Sequence, residues 1–156
     1  MAAAVGVKGL SGGNKREEEK ESDMSNMVGD SSMSDAKKFT ALVVDNNIVV
    51  QNVEQMLLHK KGFETKVVEN GQEAVNIFSE GNSFDVVFME MKLPIMDGIQ
   101  ATKELRAMGV KCLIFGMTTS ESKFDIQAFL EAGLDGCILK PLDFVKIDSA
   151  LKCLEK

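Results

Sequence analysis

The chain has 156 residues, of which 44% are hydrophobic, and it carries a formal net charge of -6. This length favours one folded domain with a tail, and the hydrophobic fraction is sufficient for a core. The acidic balance disfavours nucleic-acid binding, which requires a clustered basic surface, and it suits a basic partner or a bound cation.

The three cysteines, Cys112, Cys137 and Cys153, form no CxxC pair. An odd count without such a pair disfavours a disulfide framework or a zinc site and favours a reducing compartment. The sequence also has no apolar stretch of transmembrane length and no signal-peptide core. We therefore expect a cytoplasmic or nuclear protein that interacts with neither membranes nor nucleic acids.

The first 38 residues differ in composition from the remainder. They consist mainly of glycine, serine and charged residues, and they include the run "KREEEKESD". Such a segment buries too little apolar area to offset the entropy lost on ordering. We predict a disordered tail over residues 1–38 and a folded domain over residues 39–156.

From residue 39 onward, short apolar runs alternate with segments of helical periodicity. The apolar runs predict buried strands at residues 41–44, 65–68, 84–89, 111–117 and 136–139. The segments between and after them predict helices at residues 47–62, 70–81, 97–109, 120–133 and 141–155. The first four helical segments end at a glycine, which is typical of helix C-termini. Five strand–helix repeats predict an α/β fold with a parallel sheet covered by helices on both faces.

Three local features of the helices are also predicted. The buried face of the first helix is predicted from apolar residues at helical spacing: Val49, Val53, Met56 and Leu57. Ile48 and Leu58 fall outside this stripe, and we expect them to be exposed. Ser120 is predicted to cap the fourth helix, and Pro141 to lie in the first turn of the fifth.

Polar side chains follow the strands at the edge where open parallel sheets form binding sites. Asp45 and Asn46 follow the first strand, Glu90 ends the third, and Thr118 and Lys140 follow the fourth and fifth. If these strands are neighbours, two carboxylates, a hydroxyl and an ammonium group converge. Carboxylate and amide oxygens can hold magnesium, whereas a hydroxyl and an ammonium group can bind the oxygens of a phosphoryl group. The set therefore predicts a phosphoryl-accepting acid with its metal and its anion clamp.

The motifs "LVVDNN", "VVFMEMKLPIMDG", "IFGMTT" and "CILKPL" resemble, in order and spacing, those of the receiver domain of two-component response regulators. The phrases "GIQATKELRAMGVKC" and "EMKLPIMDG" are similar to plant response regulators of the short type, which lacks a DNA-binding output domain. The resemblance implies a flavodoxin/CheY-like sheet of order 2-1-3-4-5. It also implies a role in a histidine-to-aspartate phosphorelay, which in plants points to cytokinin signalling.

The resemblance further implies partners and site residues. A histidine phosphotransfer protein is the implied partner, docked on the face around Ile48, and other response regulators or a second copy of the chain are alternatives. Glu90 stands at the position of the phosphate-accepting aspartate, with Thr118 and Lys140 beside it. The magnesium position corresponds to three residues, namely Asp45, Asn46 and the backbone carbonyl of Lys92. The Lys140-Pro141 bond is implied to be cis, and Cys137 stands where an aromatic residue often switches rotamer.

Two departures from the family pattern weaken this site. Glu90 is one methylene longer than aspartate, which moves its oxygens by about 1.5 Å. In-line phosphoryl transfer depends on placement, and a 1 Å error costs on the order of 100-fold in rate. Asn46 lacks the charge of the acid that normally helps to hold magnesium. We therefore expect no cofactor or only weakly bound magnesium, and a pseudo-receiver that acts through protein binding rather than as an enzyme.

Several alternatives remain open. In one, the chain is a working receiver that accepts phosphate on Glu90, or on another acid, with magnesium. In a second, Glu90 reaches Thr118 and Lys140 and partly mimics a phosphorylated aspartate. In a third, Glu90 is a buried acid paired with Lys140. An enzyme on the same fold is disfavoured, because a dehalogenase-like phosphatase needs an acid at the position of Asn47 and a flavin carrier needs a phosphate-binding loop there.

Overall fold

The computed structural model of the protein describes residues 38–155, so the predicted tail lies outside the described residues except for Lys38. Five strands and five helices alternate along this part of the chain. The strands are β1 (Phe39–Val44), β2 (Phe63–Val68), β3 (Val86–Glu90), β4 (Leu113–Thr118) and β5 (Gly136–Leu139). The helices are α1 (Ile48–Lys60), α2 (Gly71–Ser79), α3 (Gly98–Ala107), α4 (Lys123–Glu131) and α5 (Phe144–Leu154). None of these helices is long and apolar enough to cross a membrane.

The five strands form one parallel sheet of order β2-β1-β3-β4-β5, as predicted. Their carboxyl ends are nearly level, because Glu90 pairs with Met117 and Thr118 pairs with Leu139. Side chains that follow β1, β3, β4 and β5 therefore meet at one edge of the sheet. This edge is where a site is expected in an open parallel sheet.

The core has two layers, one on each face of the sheet, because the strands are buried on both sides. On one face, α2, α3 and α4 contribute Ala74, Leu105 and Phe129 to a cluster that includes strand residues such as Val87. On the other face, α1 and α5 contribute Leu58, Ile147 and Ala150 to a cluster that includes Phe88 and Phe115. The prediction of helices on both faces is confirmed.

The helix ends agree with the predictions in part. Glycines at positive φ follow the first four helices, as the C-terminal pattern predicts. The expected cap of α4 was wrong, because the side chain of Ser122, not Ser120, accepts a hydrogen bond from the backbone N–H of Asp125. The expected start of α5 was also wrong, because Asp143 caps a helix that begins at Phe144. Pro141 instead lies in the loop before the cap, after a cis bond from Lys140, as the resemblance implied.

The first helix, α1, packs on the sheet with a different face from the one predicted. Its buried residues share one side of the helix: Gln51, Glu54 and Leu58. The expectation that Leu58 is exposed was therefore wrong. The predicted buried face was also wrong for Val49, Val53 and Met56, of which Val49 is 72% exposed, whereas Leu57 is partly buried and packs against the core. This side is mixed in polarity, and the Gln51 side chain on it donates a hydrogen bond to the backbone carbonyl of Asp45.

Candidate functional site

The candidate site lies at the carboxyl edge of the sheet and is built around the ammonium group of Lys140. Its Nζ atom lies 2.8 Å from Oδ2 of Asp45 and 2.6 Å from Oε1 of Glu90. All three side chains are largely buried, since that of Lys140 is 11% exposed. The structure therefore brings together three of the residues that the sequence predicted from separate strands.

Burial by itself would lower the pKa of Lys140, because it disfavours the charged form. The hydrogen bonds to Asp45 and Glu90, together with the charges of these carboxylates, outweigh burial and raise the pKa. The lysine thus remains a cation, and two of its three protons are engaged by the two acids. An anion that enters the pocket would have to compete with these carboxylates for the ammonium group.

Backbone groups bind the second oxygen of each carboxylate. Oδ1 of Asp45 accepts a hydrogen bond from the backbone N–H of Asn47, and Oε2 of Glu90 accepts one from the backbone N–H of Lys92. Both oxygens of both acids therefore already have a donor within the protein. Such multiple hydrogen bonding fixes the carboxylates in one orientation.

The hydroxyl group of Thr118 lies at the same edge but belongs to a different set of contacts. It accepts a hydrogen bond from the backbone N–H of Ser120 and lies 3.9 Å from the sulfur atom of Met91. Within residues 38–155, no hydrogen bond joins Thr118 to Glu90. The loop after β4 is instead held by its own side chains, since the Ser120 hydroxyl donates to Asp125.

The remaining predicted site residues lie at the mouth of the pocket or beside it. Asn46 and Lys92 are exposed, and they line an open groove together with Asp97 and Asp125. Cys137 is buried in β5, and burial raises the pKa of its thiol to about 11. The cysteine is therefore a buried neutral side chain.

The residues at this edge include those that would hold the magnesium ion that the resemblance implies. Magnesium requires near-octahedral oxygen donors, usually with one or two free carboxylates. The two acids here already accept hydrogen bonds at every carboxylate oxygen. The described part of the chain also contains no cluster of three histidine, cysteine, aspartate or glutamate side chains arranged to hold a metal. As placed, neither acid offers a carboxylate oxygen free of a protein hydrogen bond, which is a poor fit to the needs of a magnesium ion.

Sequence reasoning missed one residue of the pocket, Glu54. This residue of α1 is 2% exposed, and its Oε2 atom lies 3.9 Å from Nζ of Lys140. Burial, together with the neighbouring Asp45 carboxylate, raises the pKa of Glu54 to about 8. The sequence does contain a signal for it. Glu54 lies three positions after Gln51 and four before Leu58, so the three share the side of α1 opposite the apolar stripe.

The outward face of α1 carries an apolar surface next to this pocket. We define the α1 stripe as its four exposed apolar residues: Ile48, Val49, Val53 and Met56. Single exposed apolar residues are common, but here Val49, Val53 and Met56 recur at helical spacing on one face, and Ile48 precedes them at the start of the helix. Such patches are typical of protein–protein contact sites.

Comparison with known proteins gives the family context of this site. Residues 41–152 match the family described as the response regulator receiver domain. The chain is 46% identical over 114 residues to "Two-component response regulator 24" of Arabidopsis thaliana, a match that covers 73% of this chain and 82% of that protein. It is 35% identical over 113 residues to "Two-component response regulator ARR22" of the same plant, with 71% and 80% covered.

Solved structures of similar fold include two receiver domains. One is the receiver domain of the sensor histidine kinase PA1611 from Pseudomonas aeruginosa, which was solved with a magnesium ion in its active-site cleft. It aligns with a TM-score of 0.70 and 28% identity, and the alignment covers 77% of this chain and 100% of that chain. A chain of the Saccharomyces cerevisiae complex between the histidine phosphotransfer protein Ypd1 and the receiver domain of Ssk1 aligns with a TM-score of 0.69 and 28% identity, covering 76% and 91%. The sheet order and helix arrangement are those of the CheY-like receiver fold.

Proposed function

The chain belongs to the response regulator receiver domain family, and we propose that it acts as a pseudo-receiver that binds histidine phosphotransfer proteins without efficiently accepting a phosphoryl group. The observation that supports this proposal is the closed cluster of Asp45, Glu90 and Lys140. Glu90 ends β3, where the resemblance expects the phosphate-accepting aspartate, and its longer side chain already binds Lys140. The lysine is therefore occupied before any phosphoryl group arrives.

The geometry of the acid supports the same proposal. The additional methylene of Glu90 moves its carboxylate by about 1.5 Å relative to aspartate. A displacement of this size is expected to slow in-line transfer on the order of 100-fold. Asn46 supplies no charge for magnesium, so that metal affinity is expected to be weak. Both departures act in the same direction.

Partial mimicry of a phosphorylated state receives less support. A mimic would be expected to engage Thr118 as well as Lys140, but the Glu90 carboxylate hydrogen-bonds to Lys140 and to the backbone N–H of Lys92. Thr118 is bonded to its own loop instead. The contacts favour a buried acid that pairs with the lysine and holds the pocket in one arrangement.

The α1 stripe supports a role in binding. It begins at Ile48, directly after the residues at the carboxyl edge of the sheet, and the resemblance implies that the face around Ile48 docks the helical bundle of a phosphotransfer protein. Among the structural neighbours, the Ssk1 receiver domain was solved in complex with Ypd1. We propose that the α1 stripe retains this docking role even though the pocket has lost its chemistry, and that the setting is the cytokinin-linked phosphorelay of plants.

The proposal is tested with a panel of phosphorylated plant histidine phosphotransfer proteins. We expect the full chain to bind at least one of them and to acquire no label, with or without magnesium. A receiver that carries aspartate at the acceptor position, assayed in parallel, shows that the donors are competent. Magnesium-dependent labelling of the wild-type chain that disappears in Glu90→Gln would contradict the proposal and establish a working receiver.

A further inference from the structure

The pocket contains a third carboxyl group that the family resemblance does not assign. Glu54 projects from the buried side of α1, and its Oε2 atom lies within ion-pair range of Lys140, at 3.9 Å. No donor among the described residues hydrogen-bonds to either of its carboxyl oxygens. Lys140 therefore lies among three carboxyl groups contributed by α1, by the end of β1 and by β3.

A buried carboxyl group without a hydrogen-bond donor is costly, and apolar residues normally occupy such positions. Leu58, one turn further along the same side of α1, is fully buried in the apolar layer. The local packing thus accepts an aliphatic side chain on this side of the helix. Glu54 is an exception to this apolar packing, and it lies beside the buried ammonium group of Lys140.

An ammonium group has three protons, so it can donate at most three hydrogen bonds. The Lys140 ammonium donates to Asp45 and to Glu90. The Glu54 carboxyl group lies 3.9 Å from the same nitrogen, in the buried part of the pocket, without a hydrogen bond to it. A phosphoryl oxygen that approaches Lys140 therefore competes with two hydrogen-bonded carboxylates and meets a third carboxyl group beside them.

We propose that Glu54 is a positioning residue that, with Asp45 and Glu90, encloses the Lys140 ammonium group and keeps it from binding a phosphoryl-like anion. This inference rests on the proposed function, in which positions 46 and 90 are the sites of the lost chemistry. It adds that restoring aspartate at those two positions is not sufficient, because Glu54 still engages the lysine. The argument rests on the position of the Glu54 carboxyl group, 3.9 Å from the ammonium nitrogen, and not on its charge.

The test measures binding of beryllofluoride, a non-transferable phosphoryl mimic, to the full chain with magnesium by fluorine NMR. The reference is Asn46→Asp/Glu90→Asp, and the test variant adds Glu54→Leu. We expect the triple variant to bind about tenfold more tightly, the order of effect of one polar contact of a buried group. Adding Glu64→Leu instead, which removes an exposed carboxyl from β2, should leave the affinity of the double variant unchanged.

A conservative substitution distinguishes positioning from packing. Adding Glu54→Gln to the double variant keeps an oxygen toward Lys140, so its beryllofluoride affinity should stay near that of the double variant. Equal affinity of the double variant and the Glu54→Leu triple variant would overturn the inference. A Gln variant that binds as tightly as the Leu variant would overturn it as well.

A second measurement observes the lysine directly and needs only one substitution. In the otherwise wild-type chain, Glu54→Leu should accelerate exchange of the Lys140 ammonium protons with water, as seen by nitrogen NMR of the side chain. An unchanged exchange rate would overturn the inference, even if the triple variant failed to fold. Labelling of the wild-type chain by a phosphotransfer protein would instead overturn the proposed function, so the two failures are distinguishable.

Discussion

The Nζ atom of Lys140 lies 2.6 Å from Oε1 of Glu90, and this contact joins the ends of β5 and β3 across the intervening strand β4. Both side chains are only 11% exposed, so water screens the pair little. Breaking a buried pair leaves an uncompensated charge, whereas an intact pair specifies one arrangement. The contact therefore fixes how the two strand ends meet at the pocket.

The energy of this pair is measurable by a double-mutant cycle of Glu90→Gln and Lys140→Met. We expect Lys140→Met to cost about 3 kcal/mol or more, because it leaves the Asp45 and Glu90 carboxylates without their cation. Glu90→Gln should cost about 1 kcal/mol, because the amide oxygen still accepts a hydrogen bond. Urea unfolding should give a coupling energy of about 0.5 to 3 kcal/mol.

A surface ion pair of the same chain serves as the matched control for that cycle. Lys61 lies 2.9 Å from Asp148, but these side chains are 31% and 53% exposed. Surface pairs typically contribute less than about 1 kcal/mol. If the Lys140–Glu90 coupling were no larger than that of Lys61–Asp148, the pocket would not be a structural determinant of the fold.

The pH dependence of stability should reveal Glu54. Its pKa is about 8 in the folded protein, against 4.5 for the free side chain. The folded state therefore binds more protons than the unfolded state between these values, and stability falls as pH rises through this window. The slope contributed by one such group approaches about 1.4 kcal/mol per pH unit. Lys140 affects a different range, because its raised pKa acts only at alkaline pH.

The measurement compares urea unfolding of the wild type and Glu54→Gln at several pH values from 5 to 8. We expect the free energy of unfolding of Glu54→Gln to fall much less with rising pH than that of the wild type, because glutamine does not titrate. Glu64→Gln, at an exposed position on β2, should retain the wild-type slope. Parallel pH profiles for the wild type and the Glu54 variant would show that this carboxyl group ionises normally in the folded protein.

The strand order and the convergence of the pocket could be read from the sequence for a physical reason. Buried parallel strands require continuous apolar runs, and the polar residue that ends each run marks the carboxyl edge. Asp45, Glu90 and Lys140 could thus be placed together before their contacts were known. The register, and so the distances between them, required the structure.

The orientation of α1 could not be read from its sequence. Apolar periodicity identifies a stripe such as Val49 and Met56, but it does not say whether the core or a partner covers that stripe. Here the side of α1 that faces the sheet is the one with Leu58 and with Gln51, which hydrogen-bonds to the backbone of Asp45, and the stripe faces outward. The same orientation brings Glu54 into the pocket, which is why a charged residue near the site went unnoticed.

The docking role of the α1 stripe predicts a selective effect of Met56→Lys. Met56 is 50% exposed, so the substitution should change stability by no more than about 0.5 kcal/mol. It should weaken binding to a phosphotransfer protein about tenfold or more, because it places a solvated charge in an apolar contact. Affinity is measured by calorimetry with the partner found in the panel.

Met108, at the end of α3, provides the matched control, because it is the same residue type with 43% exposure. Met108→Lys should leave partner affinity unchanged. Equal losses from the two variants would indicate a general charge effect, and no loss from Met56→Lys would exclude the α1 stripe as the docking face.

Magnesium affinity tests the loss of charge at position 46. Asp45 and Glu90 already accept hydrogen bonds at all four carboxylate oxygens, so the wild type should bind the ion weakly. Asn46 is exposed at the mouth of the pocket, and Asn46→Asp adds a carboxylate there without disturbing those contacts. We expect calorimetry to show an affinity increase of about tenfold, as expected for one added charge near the ion.

Asn52→Asp adds the same charge at an exposed position of α1 and should have no comparable effect. If both variants bind magnesium equally, the ion responds to the net charge of the protein, and the missing acid at position 46 does not explain the weak site.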